Sequence, residues 1–163
     1  MLSNLFPKIY IKSIYELPLD ELKKRNIKAI AFDIDNTVAP YDIAEPDDKI
    51  VGFFKMLKEN GFKILILSNN NKKRVELFNK KLGVKAIYRA GKPGSRKLKN
   101  ELKNIGVNIK NAALVGDQVF TDVLCANLAG ALSILTEPIC NRDQLVTKVK
   151  RGIEKKVLNI YFR

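Results

Sequence analysis

Ala29-Ile30-Ala31-Phe32-Asp33-Ile34-Asp35-Asn36-Thr37 is an apolar run that ends on two carboxylates. The run 29–32 has the length of a strand buried on both faces. Residues two apart on a strand point to the same side, so Asp33 and Asp35 emerge together at its end. Two negative charges placed there lose solvation and repel each other unless a cation or a shared proton compensates. The pattern therefore predicts a bound metal ion together with a phosphoryl group.

Working outward, four further apolar runs follow, at 64–67, 86–88, 112–115 and 132–135. Between the five runs lie charged segments of helical periodicity, at 47–60, 72–82, 95–105 and 120–129. In the first of these Val51, Phe54 and Met56-Leu57 recur at helical spacing, with Lys55, Lys58 and Glu59 outward. Gly61, Gly83, Gly106 and Gly130 stand just past the helix ends, where a left-handed cap is wanted. Asn71 and Thr121 are the expected N-caps of two helices. Strands alternating with helices through short joints predict an α/β fold, a doubly wound three-layer sandwich around a central parallel sheet. The whole chain, 1–163, reads as one domain with its core at about 28–136, a head before it and a basic segment, 141–163, after it. Ligands in such sheets bind beyond the carboxyl ends of the strands.

Composition narrows the chemistry. Histidine is absent, which excludes Ser-His-Asp and Cys-His mechanisms and histidine-rich zinc sites. Catalysis must run on carboxylates, lysines, hydroxyls and hard metals. Cys125 and Cys140 form no Cys-x-x-Cys pair and read as reduced, structural residues of a cytoplasmic protein. No stretch approaches the roughly 18 apolar residues of a spanning helix, and the first residues lack the pattern of a signal peptide. The net charge of +13 asks for an anionic partner or reflects lysines that solubilise helix faces.

Polar clusters sit at four successive strand ends: Asp33, Asp35 and Thr37; Ser68-Asn69-Asn70; Lys92-Pro93; and Gly116-Asp117-Gln118 with Asp122. In this order the chain resembles the haloacid dehalogenase (HAD) phosphatase superfamily, subfamily IIIA. The hallmarks are an Asp-x-Asp-x-Thr motif, a Ser or Thr after the second strand, a Lys, and a Gly-Asp-x-x-x-x-Asp motif. Each is weak alone; together, on the predicted strand ends, they are specific.

The resemblance implies roles. Asp33 matches the nucleophile, since a carboxylate can attack phosphorus and split hydrolysis into two easier steps. Asp35 matches the general acid/base that protonates the leaving alcohol and then deprotonates water. Mg²⁺, a hard ion, suits Asp33, the backbone carbonyl of Asp35, and Asp117. Lys92 and Ser68 stabilise charge on the phosphoryl oxygens. Thr37 and Asn69 are expected at the substrate, and Asp122 behind the metal or Lys92 as an orienting group.

The intervals from Thr37 to Ser68 and from Ser68 to Lys92 are already filled by helices and strands. Neither has room for a large cap domain, so the site is expected to be open and suited to a large or interfacial substrate. Lys12-Ser13-Ile14-Tyr15-Glu16, Ser68-Asn69-Asn70-Asn71 and the segment from Gly116 to Val123 are similar to the YqeG-type branch and to the phosphatidylglycerophosphatases. That likeness implies dephosphorylation of phosphatidylglycerophosphate to phosphatidylglycerol at an anionic membrane surface, with the protein peripheral on its cytoplasmic side. In the tail, Leu145, Val149, Ile153 and Val157 recur at helical spacing among Lys148, Lys150, Arg151 and Lys155. Such a helix either lies on anionic lipid or packs on the sheet. Two alternatives remain open at this point. One is a phosphatase of nucleic-acid phosphate ends, suited to the charge but short of aromatic side chains near the site beyond Tyr41 and Tyr88. The other is a non-catalytic phosphoryl receiver or binding module. The oligomeric state is not legible.

Overall fold

The computed structural model describes residues 2–140; the expected basic helix of 141–163 lies outside them. Six strands form one parallel sheet: β1 (Ile9–Ile11), β2 (Ala29–Phe32), β3 (Lys63–Leu67), β4 (Lys85–Ile87), β5 (Ala112–Gly116) and β6 (Leu132–Thr136). Their spatial order is β1-β6-β5-β2-β3-β4. Five of these coincide with the apolar runs. The sixth, β1, comes from the head and pairs with β6 at the edge, Ile9 opposite Ile134. The sheet therefore reaches further towards the N-terminus than residue 28.

Five α-helices connect the strands: α1 (Leu19–Lys24), α2 (Asp48–Glu59), α3 (Lys72–Asn79), α4 (Arg96–Asn104) and α5 (Leu124–Ala129). Asp47 starts α2 by accepting the Ile50 N–H at 2.8 Å, and Asn71 starts α3 by accepting the Arg74 N–H at 2.9 Å. Thr121 is not a cap. It lies inside a π turn, Val119–Val123, that precedes α5, and its hydroxyl donates to Gln118 Oε1 at 3.3 Å.

The two faces of β2 are different in size, and this sets the layers. Ile30, Phe32 and Ile34 pack with Phe53, Phe54 and Leu57 of α2 and with Val75 and Phe78 of α3. Ala29 and Ala31 point the other way and join Leu98 and Leu102 of α4 and Cys125, Ala126 and Ala129 of α5. Small residues on that face let α5 approach the sheet; aromatic rings fill the opposite one, with Phe32 and Phe54 centroids 5.1 Å apart. Truncating Phe32, fully buried, would remove about 3–5 kcal/mol.

Strand β2 is central and pairs with both β3 and β5, so that Phe32 faces Ile66 on one side and Val115 on the other. The chain runs outward from β2 through β3 to β4, then returns to β5 on the other flank. This change of direction opens a crevice at the carboxyl ends of β2 and β5. The segments leaving β2 and β3 reach α2 and α3 without an inserted domain, as the spacing predicts.

Candidate active site

Asp33 extends β2 by one residue, its N–H donating to the Val115 carbonyl at 2.9 Å. The chain then turns tightly: the N–H groups of Thr37, Val38 and Ala39 all point at the Ile34 carbonyl, at 3.2, 2.9 and 3.1 Å. Asn36 takes φ 62° in this turn, a left-handed conformation that asparagine tolerates. The turn returns Thr37 to the crevice, with its hydroxyl 3.2 Å from Asp117 Oδ1 and 3.5 Å from Asp33 Oδ2. A hydroxyl has one proton to donate, and the shorter contact is to Asp117.

From the other side, β5 ends at Gly116. The π turn that follows, closed by Val123 N–H to the Gln118 carbonyl at 3.2 Å, swings Asp122 back against the strand end. A Cβ on Gly116 would fall within the Asp122 side chain, so the glycine is required by close approach. Asp122 Oδ2 accepts the Gln118 N–H at 3.1 Å and Oδ1 accepts from Lys92 Nζ at 2.6 Å.

Lys92 arrives after β4 and is seated by Asn69. The Asn69 Oδ1 accepts the Lys92 N–H at 2.8 Å, and Asn69 Nδ2 donates to the Lys92 carbonyl at 3.1 Å. The Lys92–Pro93 peptide bond is cis. The ammonium lies between two carboxylates, 2.6 Å from Asp33 Oδ1 and 2.6 Å from Asp122 Oδ1.

Asp33, Asp117, Asp122, Lys92, Thr37 and Ser68 are all buried. Burial pushes the Asp33 carboxyl up to about 7; Lys92 opposes this, while Asp122 and Asp35 add to it. For Lys92 burial alone would lower the ammonium, but Asp122 and Asp33 outweigh it and hold it raised and charged. One ammonium thus faces several carboxylates in a desolvated pocket, and the pocket is short of positive charge. The carboxylate oxygens of Asp33, Asp117 and Asp122 lie within 4.8 Å of one another. An all-oxygen donor set of this kind fits a hard divalent cation. Asp122 has both oxygens engaged by Lys92 and Gln118, which leaves Asp33 and Asp117 as the carboxylates to hold it.

The remaining predicted residues sit on the β3 side. Ser68 Oγ accepts the Asn70 N–H at 3.1 Å. Asp35 leaves the turn with its side chain directed away from the lysine cluster and towards α3. Its Oδ1 accepts from Arg74 Nε at 3.2 Å and Nη2 at 3.0 Å, and its Oδ2 from Asn70 Nδ2 at 3.1 Å. The structure therefore brings Asp33, Thr37, Lys92, Asp117 and Asp122 into direct contact, places Asn69 on the Lys92 backbone, and links Ser68 to Asp35 through Asn70. Arg74 was not anticipated. The signal was present: α3 opens Lys72-Lys73-Arg74 with no acid in its first turn, where the helix dipole disfavours cations.

A buried acidic pair, a fixed lysine and a hydroxyl at the switch point of a parallel sheet define a phosphoric monoester hydrolase of the haloacid dehalogenase type. The fold is similar to that of the deoxy-D-mannose-octulosonate 8-phosphate phosphatase of Haemophilus influenzae, solved in a cobalt-bound form. That match has a TM-score of 0.57 and 17% identity, and covers 84% of this chain and 90% of that one. The chain belongs to the family described as mitochondrial PGP phosphatase, whose model matches residues 2–140. It is 35% identical over 160 residues to the probable phosphatase YqeG of Bacillus subtilis, covering 98% of this chain and 93% of that one. It is 26% identical over 168 residues to phosphatidylglycerophosphate phosphatase 1, chloroplastic/mitochondrial, of Arabidopsis thaliana, covering 96% of this chain and 48% of that longer protein.

Proposed function

We propose that the protein hydrolyses phosphatidylglycerophosphate to phosphatidylglycerol and phosphate, with Mg²⁺ as cofactor and through an aspartyl-phosphate on Asp33. The observation that carries the chemistry is the buried Asp33 carboxyl, set between Lys92 and the Thr37–Asp117 pair at the strand ends. In the first step a bond forms from an Asp33 oxygen to phosphorus while the bond from phosphorus to the glycerol oxygen breaks. Asp35 gives that oxygen its proton. In the second step Asp35 takes a proton from water, the water oxygen bonds to phosphorus, and the bond from phosphorus to the Asp33 oxygen breaks, freeing phosphate and restoring the Asp33 carboxylate. Lys92 and Ser68 donate to phosphoryl oxygens as their charge changes. The metal, held by Asp33 and Asp117, would neutralise phosphate charge as the carboxylate approaches. Asp35, two residues from the nucleophile, favours turnover of the acyl-phosphate over its storage, and so favours an enzyme over a receiver module.

Three features support a lipid substrate. The family and the Arabidopsis relative carry that activity in their descriptions. Among the described residues no inserted domain covers the strand ends. Exposed apolar side chains, Tyr41, Ile43, Tyr88 and Ile139, stand on the segments leaving β2, β4 and β6, around the site. Among the described residues no helix is long and apolar enough to cross a membrane. Peripheral contact of this rim with the cytoplasmic face of an anionic bilayer follows as part of the proposal. The test is phosphate release from phosphatidylglycerophosphate in vesicles, against sugar phosphates, nucleotides and phosphorylated DNA ends. Preferred turnover of a sugar phosphate or a DNA end would overturn the substrate.

A further inference from the structure

We propose that Arg74 is a positioning residue with two alternative anionic partners: Asp35 while the site is empty, and a second anionic group of the substrate when it is filled. The inference rests on the reading of Asp35 as the acid/base, and it adds a substrate requirement that this reading does not contain.

The contacts of Asp35 are those of a group held back. Both of its oxygens are taken, Oδ1 by two nitrogens of one guanidinium and Oδ2 by the Asn70 amide. An acid/base so engaged is held towards Arg74 and Asn70, with three of its roughly four acceptor positions occupied. To protonate a leaving oxygen it must exchange at least the Arg74 contact for the substrate. Arg74 is equally committed: its Nη1 donates to the Ala44 carbonyl at 3.1 Å, and its guanidinium carbon lies 5.1 Å from the Phe78 ring centroid. The guanidinium is therefore held by the Phe78 ring and by the Ala44 carbonyl, and Asp35 is the partner that can leave. The side chains of Asp35 and Arg74 are 24% and 12% exposed, so solvent reaches the pair, unlike the Lys92 ion pairs, whose side chains are at most 9% exposed.

A guanidinium binds phosphate and carboxylate with the same two-nitrogen geometry. A substrate with an anion beside its scissile monoester, such as the phosphodiester of phosphatidylglycerophosphate, can replace Asp35 on Arg74. Asp35 is then released towards the leaving oxygen in the step that seats the substrate. A monoester with no second anion leaves the clamp closed. Selectivity would appear in kcat, because the second anion changes the state of a reacting group and not only the strength of binding.

The experiment compares kcat for glycerol 3-phosphate, an alkyl monoester with one anionic group, with kcat for short-chain phosphatidylglycerophosphate and for fructose 1,6-bisphosphate, which have two. It is run on the wild-type protein, Arg74→Gln and Arg74→Lys, with melting curves to establish that each is folded. The expected result is that the ratio of two-anion to one-anion kcat falls about tenfold in Arg74→Gln and by an intermediate factor in Arg74→Lys. A role confined to bracing the fold or Asp35 lowers all substrates together; a retained ratio therefore overturns the proposal. So does a wild-type protein with equal kcat values for all three. If Arg74→Gln does not fold, the ratio in Arg74→Lys decides the matter. Turnover of the sugar bisphosphate with an Arg74-dependent ratio, but none of phosphatidylglycerophosphate, would sink the lipid substrate while supporting the clamp.

Discussion

The side-chain amide of Asn69 grips the backbone of Lys92 from both ends, accepting its N–H at 2.8 Å and donating to its carbonyl at 3.1 Å. An exposed residue after β3 thereby fixes the ammonium donor that follows β4. Asn69→Ala removes both bonds and should lower kcat about tenfold through a misplaced Lys92, since displacements of about 1 Å carry penalties of that order or more. Asn69→Asp keeps the acceptor and should retain more activity than Asn69→Ala. Steady-state kinetics on an aryl phosphate separate the two; equal kcat for wild type and Asn69→Ala would contradict this coupling.

Asp33 and Asp35 should differ in what their loss leaves behind. Asp33→Asn removes the nucleophile and should abolish phosphate release. Asp35→Asn should retain attack on an aryl phosphate, whose leaving group needs little protonation, and should stall afterwards. Rapid-quench trapping should show phosphoryl-protein accumulating in Asp35→Asn and none in Asp33→Asn.

Metal and pH are linked through Asp33. Its folded-state carboxyl is raised to about 7 from an ordinary 3.8, so between these values the folded protein holds a proton that the unfolded chain has lost. The Asp33 contribution to stability of the metal-free protein is therefore present below about pH 4 and is lost as pH rises towards 7. A cation that requires the ionised carboxylate reverses this cost. Mg²⁺ should raise Tm more at pH 8 than at pH 6, and Asp117→Asn should remove most of the effect. An equal Tm increment at both values would contradict the linkage.

Gly116→Ala should be damaging out of proportion to one methyl group. The added Cβ overlaps the Asp122 side chain, which cannot retreat without releasing Lys92 and the Gln118 N–H. A destabilisation of about 1–3 kcal/mol is expected from overpacking, together with a large fall in kcat. Denaturant melts and kinetics test both; a variant with wild-type stability and activity would refute the packing argument.

Four of the strands that the apolar runs disclosed, β2, β3, β5 and β6, are largely buried, and a hydrophobic run is their physical requirement; the fifth, β4, is a half-buried edge strand. Ile9-Tyr10-Ile11 is as short as β4 but stands in the head, before the alternation of strands and helices that marks the other five. The π turn at Val119–Val123 has the composition of a helix start, and the contacts that set it apart, Asp122 with Lys92, Gln118 and Gly116, form only in the folded chain. The strand-end residues Asp33, Ser68, Lys92 and Asp117 were legible because topology alone brings such ends together. Arg74 was hidden among 30 lysines and arginines, and its meaning depends on a partner 39 residues away.

The wide turn between Asp117 and Asp122 acts as a ruler. Each residue of a helix advances direction by about 100°, so deleting one residue there would tighten the turn to an ordinary helical one and rotate the terminal carboxylate away from Lys92. Loops on protein surfaces usually accept changes of length. This one should accept none, and random deletion libraries should show a gap at 118–121 even where every single substitution in that stretch survives.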